Sequence, residues 1–283
     1  MQSKSLLQKI KQALIKHDIT TTPDLEASLL MMNVLNLKNR ESLLMLYENE
    51  VTQEQIRTCE ALLQRKIEKE PIAYILGYKA FWKYDFIVNP EVLIPRPETE
   101  LIVELVQKHF PKSDGKLNIL DLGTGTGCIL ITLLKIYTNA TATGIDISEG
   151  ALRIAQANAD RLGVSNRIQL IKSNWFEQIK PEKKFEIIVS NPPYIGLEEW
   201  SNLAKGVKDY EPKVALTDYA SGLTHYESIL EKLHEYLEID GKAFFEFGYN
   251  QLDDLSKLVS KYNFSINQIA HDLAQIPRVI CIS

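Results

Sequence analysis

The residues Asn191-Pro192-Pro193-Tyr194 stand directly after the apolar run Phe185-Glu186-Ile187-Ile188-Val189-Ser190. Two prolines fix φ and remove two backbone donors, so the local carbonyls are left as acceptors in set directions. Asn191 adds a neutral side-chain acceptor, and Tyr194 adds an aromatic wall. A planar –NH2 group needs acceptors for its hydrogens and a flat face to lie on, and these four residues offer both. The same four also make a rigid strand-to-loop turn, so alone they leave both readings open.

A second group lies upstream. The strand expected over 117–120 enters Asp121-Leu122-Gly123-Thr124-Gly125-Thr126-Gly127, and an apolar helix is expected over 128–136. This is the layout of a nucleotide-binding βα unit, in which glycines admit positive φ and a close approach of ligand to backbone. The dinucleotide fingerprint G-x-G-x-x-G is not met, because Cys128 falls where the third glycine would be. A second strand over 140–145 ends in Asp146, 19 residues after Gly127. An acid at that tip can accept hydrogen bonds from ribose hydroxyls. It could also cap the helix expected from Ser148, a role compatible with ribose binding.

The order Asp-Leu-Gly-Thr-Gly-Thr-Gly, Gly-Ile-Asp, Asn-Pro-Pro-Tyr resembles a class I S-adenosylmethionine-dependent methyltransferase acting on an amide or amino nitrogen. More narrowly, the chain is similar to the release factor glutamine N5-methyltransferase family. The narrower likeness is carried by Glu70-Pro71-Ile72-Ala73-Tyr74-Ile75-Leu76-Gly77, Phe81-Trp82 and Val92-Leu93-Ile94-Pro95-Arg96-Pro97-Glu98-Thr99-Glu100. Later come Asn174-Trp175-Phe176, Tyr210-Glu211-Pro212 and Glu246-Phe247-Gly248. It spans nearly the whole chain, with mild departures such as Tyr210 where Phe is common.

The resemblance implies an α/β fold with a Rossmann-like class I methyltransferase sheet, mostly parallel with an antiparallel edge strand. An N-terminal helical domain (1–72), read as a substrate-docking module with a plain stabilising bundle as the alternative, and a linking β-hairpin (73–97) would precede the catalytic domain (98–283). It implies S-adenosyl-L-methionine held by Asp121, Leu122, Gly123, Thr124, Gly125, Gly127, Asp146, Trp175 and Asn191. Trp175 goes to the adenine end by the family pattern, with a core aromatic as the lesser alternative. Asn191, Pro192, Pro193 and Tyr194 would form the catalytic pocket, with no metal. The implied partners are class-1 peptide chain release factors, presented through their Gly-Gly-Gln loop.

Composition bounds what remains. At 283 residues, 45% apolar and 24% charged, the chain is an ordinary globular one. The net charge is −5, and the first hundred residues hold 13 Lys+Arg against 14 Asp+Glu, which is no phosphate-binding platform. That weighs against adenine N6-methylation of nucleic acid, which would use the same tetrapeptide. A cofactor-binding regulator without catalysis is a further alternative, disfavoured by intact Asn191 and both prolines. Three scattered cysteines and five histidines make neither a disulfide framework nor a metal motif. No long apolar run or leader appears at the start. The expectation is a cytoplasmic monomer with no direct contact to nucleic acid or membrane.

Periodicity predicts helices from Ser3 to about Glu70, with Leu6, Leu7, Ile10, Ala13 and Leu14 on one face. Residues 74–95 read as a hairpin. Further strands are expected at 168–172, 185–190, 242–247, 264–270 and 277–282, the last two pairing antiparallel at an edge. The connection 195–222 holds Tyr210-Glu211-Pro212, open between a structured turn and a lid.

Overall fold

The computed structural model describes residues 1–112 and 114–283, and the chain divides into two compact units. The first comprises Met1–Gly77 and Ala204–Tyr210. Its helices are α1 (Ser3–Lys16), α2 (Pro23–Val34), α3 (Arg40–Met45), α4 (Gln53–Ile67) and α5 (Ile72–Leu76), with a short helix Lys205–Tyr210 from later in the chain. Pro23 opens α2 at a position where a missing N–H costs nothing. Thr52 and Gln55 form a reciprocal capping box at the start of α4. Leu6, Ile10 and Leu14 of α1 recur every four residues and pack with Leu30, Met31, Cys59 and Leu63. Lys66 pairs with Glu26 at 3.1 Å inside this unit. The short helix joins it through the Tyr210 hydroxyl, which donates to the Glu68 carbonyl at 3.0 Å.

The second unit comprises Tyr78–Leu203 and Glu211–Ser283. It opens with a hairpin of β1 (Tyr78–Phe81) and β2 (Tyr84–Ile87), shorter than the 74–95 expected because residues 72–76 are helical. Its main sheet holds β3 (Asn118–Leu122), β4 (Thr141–Asp146), β5 (Ile168–Lys172), β6 (Phe185–Ser190), β7 (Leu237–Glu246), β8 (Ile266–His271) and β9 (Pro277–Ile282). Their order is β5-β4-β3-β6-β7-β9-β8. The first five are mutually parallel, whereas β9 runs antiparallel to both β7 and β8. The expected antiparallel pair is present, with β9 inserted between β7 and the edge strand β8. The fold is the expected α/β architecture.

Helices cover both faces: α6 (Glu100–His109), α7 (Cys128–Ile136), α8 (Glu149–Leu162), α9 (Thr224–Tyr236) and α10 (Leu252–Lys261). That is why the strands read as near-continuous apolar runs. Ile119 and Ile187 enter one core with Ile102, Val103 and Leu133, while Leu120 and Ile188 enter the other with Tyr226, Ile229 and Leu255. No helix among the described residues is long and apolar enough to cross a membrane.

Candidate active site

Strand order decides where a ligand can sit. From β3 the chain steps outward through β4 to β5, then returns to place β6 on the other side of β3. The crevice at the carboxyl ends of β3 and β6 is therefore the switch point of the sheet, the usual ligand position in open α/β folds. A cleft of about 1020 Å3, counted out to open solvent, lies within the second unit at this place. Its walls include Gly123, Thr124, Gly125, Asp146, Trp175 and Asn191.

The glycine turn follows β3 with positive φ at Gly123, Gly125 and Gly127, of 76°, 55° and 77°. At Gly127 a side chain would also meet Ile131 Cδ1 at 2.8 Å, so the turn needs glycine there for both conformation and space. Asp121 lies beneath the turn, fully buried, and its Oδ2 accepts from the Thr124 hydroxyl at 2.8 Å. Oδ1 is buried without a partner. Burial, with Asp146 nearby, pushes this carboxyl up to about 7.

Asp146 ends β4 at the cleft. Its Oδ2 accepts from the Gly125 amide and its Oδ1 from the Ser148 amide, both at 2.9 Å. These bonds favour the ionised form, but burial outweighs them and raises the pKa. Each oxygen keeps a further lone pair for a hydroxyl donor. The N-cap of α8 is Ser148, whose Oγ accepts from Ala151 at 3.2 Å, so Asp146 is not the cap. Beside it Ile147 lines the cleft while 55% exposed.

Trp175 holds φ of 47°, a region that bulky residues avoid. Ser173 Oγ donates to its carbonyl at 2.7 Å, and its ring meets His225 edge-on at 5.1 Å. A strained backbone at a cleft wall points to a working position. Burial holds the His225 pKa down, which favours a neutral ring against Trp175.

Asn191 follows β6 and donates through Nδ2 to Thr99 Oγ1 at 3.1 Å. Its Oδ1 is thereby the amide's acceptor. Tyr194 is anchored twice: its hydroxyl donates to Glu246 Oε1 at 3.2 Å, and its carbonyl accepts from Gln251 Nε2 at 2.9 Å. Gln251 Oε1 also accepts from the Gly248 amide at 2.8 Å. A third wall comes from Pro95, Arg96, Pro212, Val214 and Ala215. Glu211, 5% exposed, binds its two strands together by accepting from the Ile94 amide at 3.1 Å and pairing with Arg96 at 2.6 Å. The Tyr210-Glu211-Pro212 stretch is thus a pinned turn in this structure.

Of the residues expected in the site, Gly123, Thr124, Gly125, Asp146, Trp175, Asn191 and Pro193 line the cleft. Asp121, Leu122, Gly127, Pro192 and Tyr194 support it from behind and are not part of its lining. Among the described residues, no group of three or more His, Cys, Asp or Glu could hold a metal ion.

Similarity to known proteins covers most of the chain. A family model described as the PrmC N-terminal domain matches residues 5–77, and one described as the methyltransferase small domain matches residues 97–205. The release factor glutamine methyltransferase of Koribacter versatilis is 37% identical over 262 residues, covering 92% of this chain and 91% of that protein. This chain belongs to the release factor glutamine methyltransferase family. The bifunctional methyltransferase of Rickettsia bellii is 38% identical over 294 residues, covering 95% of this chain and 52% of the relative. The chain therefore spans about half the length of such bifunctional relatives. A crystal structure of a methyltransferase from Pyrococcus furiosus superposes with a TM-score of 0.52 at 18% identity, covering 80% of this chain and 96% of that one, a likeness of fold.

Several members of the site in this family member had no sequence signal of their own. Thr99 and Glu211 act through partners 92 and 117 residues away. Glu246-Phe247-Gly248 and Thr99 stood out only as parts of the family likeness. Ile147 carried a usable clue, since an apolar residue directly after a strand-ending acid faces the ligand side.

Proposed function

We propose that this chain transfers a methyl group from S-adenosylmethionine to the side-chain N5 of a protein glutamine. The substrate on this reading is the Gln of the Gly-Gly-Gln loop in class-1 peptide chain release factors. Residues 1–72 would dock the substrate protein, 73–97 connect, and 98–283 carry catalysis, in a cytoplasmic monomer that does not bind nucleic acid. The observation that carries the reading is the direction of the Asn191 amide. With one Nδ2 hydrogen donated to Thr99, Asn191 Oδ1 is left as an acceptor, which is what a substrate –NH2 requires.

The residues present fit the cofactor. The positive-φ glycine turn admits close approach of a ligand's short polar arm. Asp146 retains lone pairs for ribose hydroxyls. Trp175 and the exposed Ile147 offer apolar surfaces for a base. When bound there, the cofactor supplies an electrophilic methyl on a sulfonium.

An amide nitrogen is a poor nucleophile because its lone pair is delocalised into the carbonyl. Asn191 Oδ1 would accept one of its N–H groups and aim it, with the two prolines fixing where that acceptor stands. Fixed acceptors also favour the positive charge that grows on nitrogen during transfer. Tyr194, held at both ends, keeps the two prolines in place rather than touching the substrate from the cleft wall. No residue is asked to remove a proton first.

Mass spectrometry of a release factor incubated with the chain and S-adenosylmethionine tests this. One added methyl on the Gly-Gly-Gln glutamine is expected. Transfer to a different residue, or to adenine in nucleic acid and to no protein, would overturn it.

A further inference from the structure

β7 and β9 lie side by side at the end of the sheet where the cleft opens. Their register pairs Glu246 with Val279, and the Phe247 amide donates to the Arg278 carbonyl at 2.9 Å. Two short turns meet the sheet here. Residues 248–251 lead from β7 into α10, and residues 272–276 join β8 to β9. Each turn holds a large apolar side chain in water, Tyr249 being 60% exposed and Leu273 fully so.

One polar side chain orders each turn. Gln251 gives its two Nε2 protons to the carbonyls of Tyr194 and Gly222, at 2.9 and 3.1 Å. Its Oε1 accepts from the Gly248 amide at 2.8 Å. A side chain on Gly248 would also stand 3.2 Å from Cδ2 of the Tyr194 ring. The 248–251 turn is therefore fastened to the Asn-Pro-Pro-Tyr segment. In the second turn Asp272 Oδ1 accepts from the amides of Ala274 and Ile276, at 2.8 and 3.0 Å. Its Oδ2 accepts from Arg278 Nε at 2.9 Å. Lone exposed apolar side chains are ordinary, and Ile239, 97% exposed toward the amino end of β7, is one. Tyr249 and Leu273 differ from it in place and in support: ordered turns hold both out beside the tetrapeptide of the site.

We propose that Tyr249 and Leu273 dock the substrate protein by receiving an apolar stretch that flanks its acceptor glutamine. This rests on the protein-glutamine reading given above. A glutamine side chain reaches only about 5 Å from its backbone, so the substrate's main chain stays at the mouth of the cleft. Neighbouring strands are about 4.8 Å apart, which puts β9 roughly 10 Å from β6. About three extended residues span that distance. A chain leaving the mouth across the end of the sheet thus meets these turns within a few residues of the glutamine. Turns already ordered lose little freedom on binding, which suits them to serve as anchors.

The test uses the full chain with a release factor and saturating S-adenosylmethionine. Single-turnover methylation is followed against release factor concentration for the wild type, Tyr249→Ala, Leu273→Ala and Ile239→Ala. The half-saturating concentration should rise ~5–30-fold in Tyr249→Ala and in Leu273→Ala, the loss typical of an interface anchor. Their limiting rate and cofactor dissociation constant should hold, and Ile239→Ala should match the wild type. An unchanged half-saturating concentration in either variant overturns the proposal. So does an equal rise in Ile239→Ala, or a parallel loss of cofactor affinity, since neither is an effect of docking. Light scattering that shows a wild-type dimer lost in Leu273→Ala would assign the turn to a second copy instead. If the wild type methylates no glutamine, the functional reading fails and direct binding decides the docking surface. Release factor titrated onto the immobilised chain should then bind the two variants more weakly than the wild type, and equal or absent binding overturns it.

Discussion

At the scale of residues, Asn191 and Asp146 are separable because they face different parts of one cleft. Asn191→Ala removes the acceptor but none of the bonds around the glycine turn. Turnover should fall ~10²–10³-fold, the loss typical for one preorganised electrostatic partner, while cofactor affinity changes much less. Asn191→Asp keeps an acceptor oxygen but loses the donor to Thr99, and should fall between Ala and wild type. Single-turnover rates beside cofactor dissociation constants check both. Asp146→Ala should do the reverse, weakening cofactor binding by roughly 1.5–3 kcal/mol, the range for hydrogen bonds to a charged group. Because Asp146 also ties Gly125 and Ser148, calorimetric titration should show a loss at the upper end of that range.

At the scale of elements, Glu211 is the point where two loops become one wall. Glu211→Gln leaves Arg96 without its buried partner, and breaking such a pair costs about 3–5 kcal/mol. Limited proteolysis should therefore cut faster within 211–216, and turnover should drop before cofactor affinity does. Cleavage no faster than in the wild type would show the wall to be held by other contacts. This latch also marks what sequence could tell and what it could not. The strands at 185–190 and 277–282 were legible because strands buried on both faces show near-continuous apolar runs. The strand expected at 242–247 begins at Leu237 instead, because its ladder skips from Leu237 to Lys242 and the intervening polar residues hide it. The cleft ends of β3, β4 and β6 were legible from glycines, an acid and prolines at fixed spacing. Which of those residues face the cleft and which stand behind it was not. Tyr194 is tied behind the cleft by a hydrogen bond that no local pattern reveals, its partner Glu246 being 52 residues away.

At the scale of the whole molecule, two fully buried carboxyls bear on stability. Burial pushes Asp121 from an ordinary 3.8, and Glu246 from 4.5, up to about 7 each. Between the ordinary and raised values the folded chain holds protons that the unfolded chain has lost. Stability from these groups is thus fully present below about pH 4 and is lost as pH rises to about 7. Denaturant unfolding at a series of pH values should show Glu246→Gln and Asp121→Asn each removing part of that decline. Each group contributes on the order of a few kcal/mol across the window. If the variants follow the wild-type profile, these carboxyls are paired in ways that keep them ionised.

The chain passes between its two compact units at 77–78, 203–204 and 210–211. The heptapeptide Ala204–Tyr210 therefore belongs, by its packing, with a helical unit encoded more than a hundred residues earlier. Gly206 illustrates the dependence, since a side chain there would meet the Lys69 carbonyl at 2.8 Å. For inheritance this means that the N-terminal unit is not a cassette. Recombination between relatives at one breakpoint near residue 77 would hand a foreign helical unit a heptapeptide shaped for another. Chimeras that exchange 1–77 alone should be recovered as poorly folded protein, and those that exchange 1–77 together with 204–210 as well-folded protein. Residue 206 must accordingly stay small whichever residue stands at 69, because the atom it would meet is backbone.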